Sequence, residues 1–549
     1  MKTTVLVTGA NGQLGRCIHG LQSHFSELDL VLVDASVLDI TNTSQVAAFF
    51  KSHKLDWCIN CAAYTAVDKA ESDSDQAFLV NATGAKNLAE ACKTYGVKLI
   101  HVSTDFVFDG QSKTPYTETD ATHPLGVYGA SKLKGEQAIA SILKTYYIVR
   151  TSWLYSAYNH NFLKTMLRLA KEKSRLHVVN DQIGTPTHAE DLAHTLLEMV
   201  QQDKQHYGTY HYSNTGSISW YDFAKAIFEL KGIATKVAPI ATSGYPTPAA
   251  RPKYSVLNTK KIETTFGLKA HHWKTSLKTA ILRLDMQEQL QTAIQATLEA
   301  GKVIMEVYDT PFDVELKDDK SPLTEADKRA NDVINSFLRP TEIPIISEEN
   351  KQTDYAVRKT WDSCWVVDPV DGTKEFIKRN GEFTVNIALV KQGQPILGVI
   401  YVPATKTLYY ADVATKTAYK SILESHDTAL KTVFEKAEKL QPKKDGANPV
   451  QVVGSRSHMN QDTLDFVEGL KAEGKAVEIV SKGSSLKFCL VAEGNADVYP
   501  RYAPTMEWDT AAGHAICNAV GLQVISKATN KPLEYNKEDL LNPYFLVSR

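Results

Sequence analysis

Trp365-Val-Val-Asp-Pro-Val-Asp-Gly-Thr-Lys-Glu-Phe376 decides how the second half of this chain is read. It opens with apolar residues suited to a buried strand, breaks at Pro369 and Gly372, and restarts as a helix. Asp368 and Asp371 flank the bend, so both carboxylates can converge where the strand ends. Gly372 and Thr373 offer free backbone N–H groups at a helix N-terminus, where an anion is favoured. Carboxylates facing a phosphate repel it unless a cation lies between them. An all-oxygen ligand set without Cys or His suits Mg²⁺. The stretch reads as a metal-assisted phosphate site. Asp, Pro and Gly are also ordinary turn residues, so these residues alone would equally make a solvated corner.

The neighbouring strings favour the site. Ser321-Pro-Leu-Thr-Glu-Ala-Asp327, Ile346-Ser-Glu-Glu349, Asp368-Pro-Val-Asp-Gly-Thr373 and Trp508-Asp-Thr-Ala-Ala-Gly513, in this order, resemble the inositol monophosphatase superfamily. Lys378-Arg-Asn-Gly-Glu-Phe-Thr-Val-Asn-Ile-Ala388, Gly454-Ser-Arg-Ser-His458, Gly483-Ser-Ser-Leu-Lys-Phe-Cys489 and Tyr499-Pro-Arg501 are similar to its 3′(2′),5′-bisphosphate nucleotidases. The likeness covers the second half almost completely and implies a layered α/β sandwich. It implies that Glu348, Asp368, Asp371, Asp509 and the Val370 carbonyl ligate Mg²⁺. Two divalent ions of this kind generate the nucleophile and neutralise the leaving oxygen. Thr373, oriented by Asp327, would help activate the attacking water, and Gly372 with Thr373 would bind the scissile phosphate. Ser484, Ser485, Lys487 and Arg501 would contact the nucleotide or its second phosphate. Glu349 is either a solvated neighbour of Glu348 or a direct participant.

A chain of 549 residues exceeds one ordinary core, so two to four domains are expected. Apolar content of 43% with 23% charged residues describes a globular protein rather than a disordered one. A net charge of −2 makes no case for nucleic acid or an anionic membrane surface. Uninterrupted apolar runs are too short to span a bilayer. The N-terminal Met-Lys-Thr-Thr-Val-Leu-Val-Thr-Gly9 reads as a strand and turn rather than a signal peptide. Seven scattered Cys suit a reducing compartment, and the cytoplasm is expected. Cys58 and Cys61 lie on an expected strand, where residues three apart are about 10 Å apart and face oppositely. A disulfide needs Cα atoms within about 7 Å, so both are expected as buried thiols.

The first 140 or so residues alternate apolar runs with amphipathic ones, the mark of a parallel sheet wrapped by helices. Expected strands are Thr3–Val7, Leu28–Val33, Trp57–Cys61 and Lys98–Val102; expected helices are Thr43–His53 and Asp73–Tyr95. Gly9, Gly12 and Gly15 follow the first strand directly, with Asn11, Gln13 and Leu14 between them. Glycine there permits a tight turn and lets a pyrophosphate approach the helix N-terminus. Asp34 ends the second strand, where a ribose-binding acid belongs, and Asp39-Ile40 could touch an adenine. Asp34 as a solvated strand end is the plainer reading. Ser103-Thr-Asp-Phe106 lies at the carboxyl edge where open α/β sheets bind ligands. Tyr128 and Lys132 stand four apart, on one helix face. An ammonium beside the phenol stabilises phenolate and lowers the Tyr pKa from about 10.

These motifs resemble the extended short-chain dehydrogenase/reductases. Ala62-Ala-Tyr-Thr-Ala-Val-Asp-Lys-Ala-Glu71, Ser103-Thr-Asp-Phe-Val-Phe-Asp-Gly110, Val127-Tyr-Gly-Ala-Ser-Lys-Leu-Lys-Gly-Glu136, Arg150-Thr-Ser-Trp153, Asn180-Asp-Gln-Ile-Gly-Thr-Pro-Thr187 and Ala250-Arg-Pro252 narrow the likeness to the dTDP-4-dehydrorhamnose reductases. The resemblance implies NADPH or NADH as cofactor, held also by Ala62, Ala63 and Tyr64. It makes Tyr128 the proton donor, Lys132 its electrostatic partner and Thr104 a hydrogen-bond donor to the keto oxygen. Asp105, Trp153 and Arg251 would contact the nucleotide sugar; Trp153 reads equally as core packing.

Residues 235–258 are expected as a loop over the sugar site. Trp273–Leu284 is expected as a closing helix, and Asp285 with Glu288 as the capped start of a second helix, Gln287–Tyr308. The expected domains are therefore 1–285, a doubly wound Rossmann-type reductase, and 286–549, a Mg²⁺-dependent nucleotidase. Together they would act on a dTDP-sugar and an adenosine bisphosphate, without nucleic acid or membrane; a homodimer is admitted. Two rivals stand beside this: a regulatory NAD(P)H-binding module fused to a phosphatase, and a phosphatase acting on inositol monophosphate.

Overall fold

The computed structural model describes residues 2–311, 314–316, 322–443, 448–454 and 460–549. Ser321 of the first acidic string and residues 455–458 of the Gly454–His458 string lie outside them. The chain divides into two compact units, Met1–Asp285 and Met286–Arg549.

In the first unit six parallel strands form one sheet, in the order Leu28–Val33, Thr3–Thr8, Trp57–Asn60, Lys98–Thr104, Tyr146–Thr151 and Gly208–His211. The order reverses between Thr3–Thr8 and Trp57–Asn60, which makes their carboxyl ends the ligand crevice of a doubly wound sheet. Each strand reads as an apolar run because helices cover both faces. Val5 and Val7 pack on one side with Ile18 and Leu196, while Leu6 packs on the other with Val46 and Leu88. The helix expected over Asp73–Tyr95 runs from Ser74 to Tyr95 and widens into a π-helical stretch, Leu79–Gly84, between Ser74–Phe78 and Ala85–Tyr95. That widened turn carries buried Asn81, which holds the Tyr64 N–H and C=O at 2.9 and 3.0 Å and donates to the Ser131 hydroxyl. π-turns of this kind gather at functional sites.

The expected loop 235–258 holds a strand, Lys236–Ile240, parallel to Arg175–Val179. Beyond it the chain crosses the carboxyl edge, touching Ile183 through Tyr254 and Tyr116 through Leu257. All seven cysteines are free, Cys58 and Cys61 included.

The second unit is built on a seven-stranded sheet whose first two strands, Ile345–Ser347 and Ser363–Asp371, are parallel. Thr384–Lys391, Gln394–Val402, Thr407–Asp412, Thr417–Ile422 and Glu438–Lys439 follow in antiparallel order. Alternation along the quoted stretch separates two cores: Trp365 and Val367 pack with Ile304 and Ile334, whereas Cys364 and Val366 pack with Phe488 and Ile516. Helices Leu486–Ala492 and Glu507–Ala519 thus cover one face, and Glu325–Leu338 lies on the other. Strand Tyr499–Arg501 follows a single parallel bridge between Val498 and Val452.

The two helices expected around Asp285 are one helix, Trp273–Tyr308, of 36 residues. Nothing between Leu284 and Leu290 breaks a helix, since Asp, Met, Gln and Glu all tolerate its interior. Asp285 caps nothing; its carboxylate accepts from Lys231 Nζ at 2.6 Å. Among the described residues no helix is long and apolar enough to cross a membrane.

Candidate active sites

The glycine loop of the first unit sits at the strand-order reversal. Gly9 has φ +66°, and a Cβ there would lie 2.7 Å from the Ala62 nitrogen; one on Gly15 would lie 2.5 Å from the Gly9 carbonyl oxygen. Gly12 precedes helix Gln13–Gly20 without a side-chain cap, leaving the first-turn N–H groups to an external anion. Leu14 is buried and anchors the loop. The Gln13 side chain accepts from Ser156 Oγ at 2.9 Å and Asn161 Nδ2 at 3.0 Å. Asn11 donates to the Asp34 carboxylate, whose other oxygen accepts from the Ser36 N–H and hydroxyl at 2.9 and 2.6 Å. Those Ser36 donors hold the half-exposed Asp34 carboxyl below its ordinary range. Asp39 is engaged with Thr41, and Ile40 is buried under Gly84. Ala62 donates its N–H to Asn60 Oδ1, and the Tyr64 hydroxyl donates to Asp73.

Thr104 ends its strand with its hydroxyl donating to Asp105 Oδ1 at 3.1 Å and accepting from the Phe106 N–H at 3.2 Å. Asp105 is buried, and desolvation raises its carboxyl to about 6. Its Oδ2 has no hydrogen bond of ordinary geometry; the nearby Ser255 hydroxyl offsets part of that cost. Tyr128 corrects an expectation. Its phenol is pushed up to about 12 rather than down, because desolvation dominates and only the Thr104 hydroxyl opposes it. Lys132 does not bond it: the buried ammonium donates to the Val102 carbonyl at 2.8 Å and stands 3.4 Å from His101 Nε2. Burial brings Lys132 down to about 8, against the pull of Glu136. Glu136, one turn further along the helix, is bound by Arg150 at 2.7 Å and by the Ser103 hydroxyl at 2.5 Å.

Two substrate candidates are engaged within the protein. Trp153 has φ +46° and stacks on Trp220 with ring centroids 3.6 Å apart, its indole also close to Gly184. A non-glycine residue held there points to function as much as to packing. Arg251 grips Asp68 with both terminal nitrogens, at 3.0 and 2.7 Å.

In the second unit the corner after Val367 is a bulge. Asp368 opposes Asn386 and Asp371 opposes Thr384, so one extra residue turns both acids inward. Gly372, at φ +93°, then starts the short helix Thr373–Ile377. Asp368, Asp371 and Asp509 each bring a carboxylate oxygen within 4.8 Å of the other two. Each also spends one oxygen on a backbone amide: Asp368 on Val370 at 3.0 Å, Asp371 on Ser485 at 2.6 Å, Asp509 on Met506 at 2.8 Å. Burial and neighbouring charge, from Glu348, Asp371 and Asp509, hold the Asp368 carboxyl well above its usual range, and burial with Asp371 raises Asp509 to about 7. Crowded hard oxygens that repel one another fit a divalent cation.

Asp327 is buried, with one oxygen capping its helix at Thr324 and the other 3.5 Å from the Thr373 hydroxyl. Thr373 also lies 3.3 Å from the Val370 carbonyl. A cavity of about 470 Å³ opens over the acids. Lys487 and Arg501 line it, and so do Lys374, Lys378 and Lys482, to which the sequence assigned no role. The spacing of Lys374 and Lys378, one turn apart right after Gly372, was the available signal. Ser484 faces the cavity with its hydroxyl buried and unbonded; Ser485 does not, since its side chain clamps Asp371 together with Asn386.

The family model described as the RmlD substrate binding domain matches residues 1–286, and that of the inositol monophosphatase family matches residues 285–548. The dTDP-4-dehydrorhamnose reductase of Aggregatibacter actinomycetemcomitans is 43% identical over 285 residues, 50% of this chain and 97% of its own length. The 3′(2′),5′-bisphosphate nucleotidase CysQ of Salmonella typhimurium is 45% identical over 264 residues, 47% of this chain and 99% of its own. A crystal structure of the Bacillus anthracis dTDP-4-dehydrorhamnose reductase in complex with NADP is 42% identical and superposes with a TM-score of 0.50, covering 52% of this chain and all of that one. The chain therefore belongs to two families at once, the RmlD substrate-binding-domain family through its first half and the inositol monophosphatase family through its second.

Proposed function

We propose that this chain is a bifunctional cytoplasmic enzyme. Its first unit reduces dTDP-4-dehydro-L-rhamnose to dTDP-L-rhamnose with NADPH or NADH. Its second hydrolyses the 3′(2′)-phosphate of an adenosine 3′(2′),5′-bisphosphate with Mg²⁺, giving AMP. The observation that carries the reading is that two chemically unlike residue sets, Thr104–Tyr128–Lys132 and Asp368–Asp371–Asp509, lie in units that each match nearly the full length of a relative with the corresponding name.

In the reductase the nicotinamide supplies a hydride when bound. The protein's part is the proton. A phenol at about 12 is protonated at neutral pH, as a donor to a developing alkoxide must be. Thr104 stands beside it to orient the keto oxygen, and the Lys132 cation on the same helix would stabilise the phenolate left after proton transfer. The glycine loop and Asp34 hold the dinucleotide. An intact proton-donor set argues against a purely regulatory module.

In the nucleotidase, bound Mg²⁺ supplies Lewis-acid charge and a more acidic water. Glu348, Asp368, Asp371, Asp509 and the Val370 carbonyl would hold it. The Asp327–Thr373 pair would take the proton of the attacking water, and Gly372 and Thr373 would orient the phosphate. Five cations around the cavity, Lys374, Lys378, Lys482, Lys487 and Arg501, favour a substrate with a second phosphate over an inositol monophosphate. Purified chain assayed side by side for nicotinamide oxidation with the keto sugar, and for phosphate release from the bisphosphate and from inositol monophosphate, tests the reading. Turnover of inositol monophosphate alone, or of neither ester, would overturn its second half.

A further inference from the structure

Behind the Tyr128–Lys132 pair runs a chain of hydrogen bonds whose direction is fixed by a backbone amide. Asn60 Oδ1 accepts from the Ala62 N–H at 3.1 Å and from the Thr8 hydroxyl at 2.7 Å. The Ala62 N–H can only donate, so the Asn60 amide cannot turn over without facing two donors together. Its Nδ2 therefore donates to His101 Nδ1, 3.0 Å away. A nitrogen that accepts carries no proton, so the neutral imidazole keeps its proton on Nε2. Nε2 is the atom 3.4 Å from Lys132 Nζ. His101 is 1% exposed and Lys132 2%, so water does not intervene from bulk.

From this we infer that His101 is a positioning residue for the reductase site, presenting a permanent Nε2–H donor to Lys132 and so setting the pH at which Lys132 gives up its proton. The inference rests on the reductase reading for its meaning, though not for its geometry. A donor facing an ammonium disfavours the charged form and welcomes the neutral amine, which can accept. His101 cannot respond by becoming a cation, because protonation of Nδ1 would set its N–H against the Asn60 amide; burial also holds it well below its usual range. The other groups around Lys132 do not supply this effect. Glu136, on the same helix, favours the ammonium but is already matched by Arg150. Cys61, beyond strand Trp57–Asn60, is a thiol that burial keeps neutral, and Tyr128 is neutral at working pH. Among the polar neighbours in the described residues, His101 is the one that pushes the lysine towards the amine, adding to burial.

The test begins on the unsubstituted chain. Nitrogen NMR of histidine-labelled protein, with His101 assigned by its loss in His101→Gln, reads the tautomer directly. The Nε2–H form is expected; the Nδ1–H form would overturn the inference. Carbon NMR of lysine-labelled protein, assigned with Lys132→Met, then follows the Lys132 titration. In His101→Gln the amide oxygen can face the ammonium, and the midpoint should rise by about one pH unit. The pH profile of kcat/KM for keto-sugar reduction should move by a similar amount. A Lys132 midpoint that stays put or falls would overturn the proposal. An inactive but correctly titrating protein would instead count against the reductase reading.

Discussion

Ser485→Ala probes how the phosphatase site keeps its acids in place. In the folded protein one oxygen of Asp371 accepts from the Ser485 N–H at 2.6 Å and from the Ser485 hydroxyl, with Asn386 Nδ2 at 3.3 Å and Thr384 Oγ1 at 3.4 Å behind them. The substitution removes the hydroxyl but not the amide, so the carboxylate loses one charge-assisted hydrogen bond, a contribution of about 1.5–3 kcal/mol. It also leaves Asn386 Nδ2 without its 2.5 Å acceptor in a buried position. Partners that orient a metal ligand typically matter by about 10–100-fold in affinity. With the backbone donor retained, the low end applies: the Mg²⁺ dissociation constant should rise about tenfold, near 1.4 kcal/mol. Isothermal titration with Mg²⁺, paired with phosphate release as a function of Mg²⁺, measures it. Release at saturating Mg²⁺ should approach the parent rate, and keto-sugar reduction should be untouched. A folded variant whose Mg²⁺ affinity stays within about twofold of the parent would refute the clamp.

Three further outcomes follow from the same structure. Asp34→Ala should raise the NADPH-to-NADH ratio of kcat/KM, because the carboxylate repels a 2′-phosphate; an unchanged ratio means Asp34 does not face the ribose. Asp105→Asn should raise the melting temperature at pH 7.5 or so. The folded carboxyl, at about 6 against 3.8 unfolded, binds protons more tightly when folded, so stability falls as pH climbs between those values. The gain should be of order 1–3 kcal/mol and vanish near pH 4; a gain that persists there would contradict the burial argument. Cut apart, residues 1–285 and 286–549 should each fold and keep their own activity, with a modest loss in melting temperature because the cut divides helix Trp273–Tyr308. Insolubility of either fragment would mean the units complete one another.

Period and punctuation made much of this legible. Strands Thr3–Thr8 and Leu28–Val33 fall where their patterns put them, and the carboxylates gather because a bulge between Asp368 and Asp371 follows from Pro369 in the strand. What sequence could not show is what depends on three-dimensional neighbours. The Tyr128 phenol shift has the opposite sign to that expected because spacing shows which face a Lys occupies, not that the phenol is desolvated or that Val102 already holds the ammonium. Arg251 meets Asp68 across 183 residues, and Ser485 meets Asp371 across 114, distances at which no local pattern survives. The helix through Asp285 was missed for a different reason: a capping signature marks where a helix can start, and an uninterrupted run of helix formers overrides it.

The central claim is that one chain carries two separate chemistries, and reciprocal substitution in the full-length protein tests it most directly. Asp371→Asn removes a carboxylate from the acidic cluster, and Tyr128→Phe removes the proton donor. Both variants and the parent are assayed for Mg²⁺-dependent phosphate release and for keto-sugar reduction. The account predicts that Asp371→Asn abolishes phosphate release and spares reduction, and that Tyr128→Phe does the reverse. Phosphate release that survives Asp371→Asn, or a single substitution that silences both reactions in a folded protein, would contradict it.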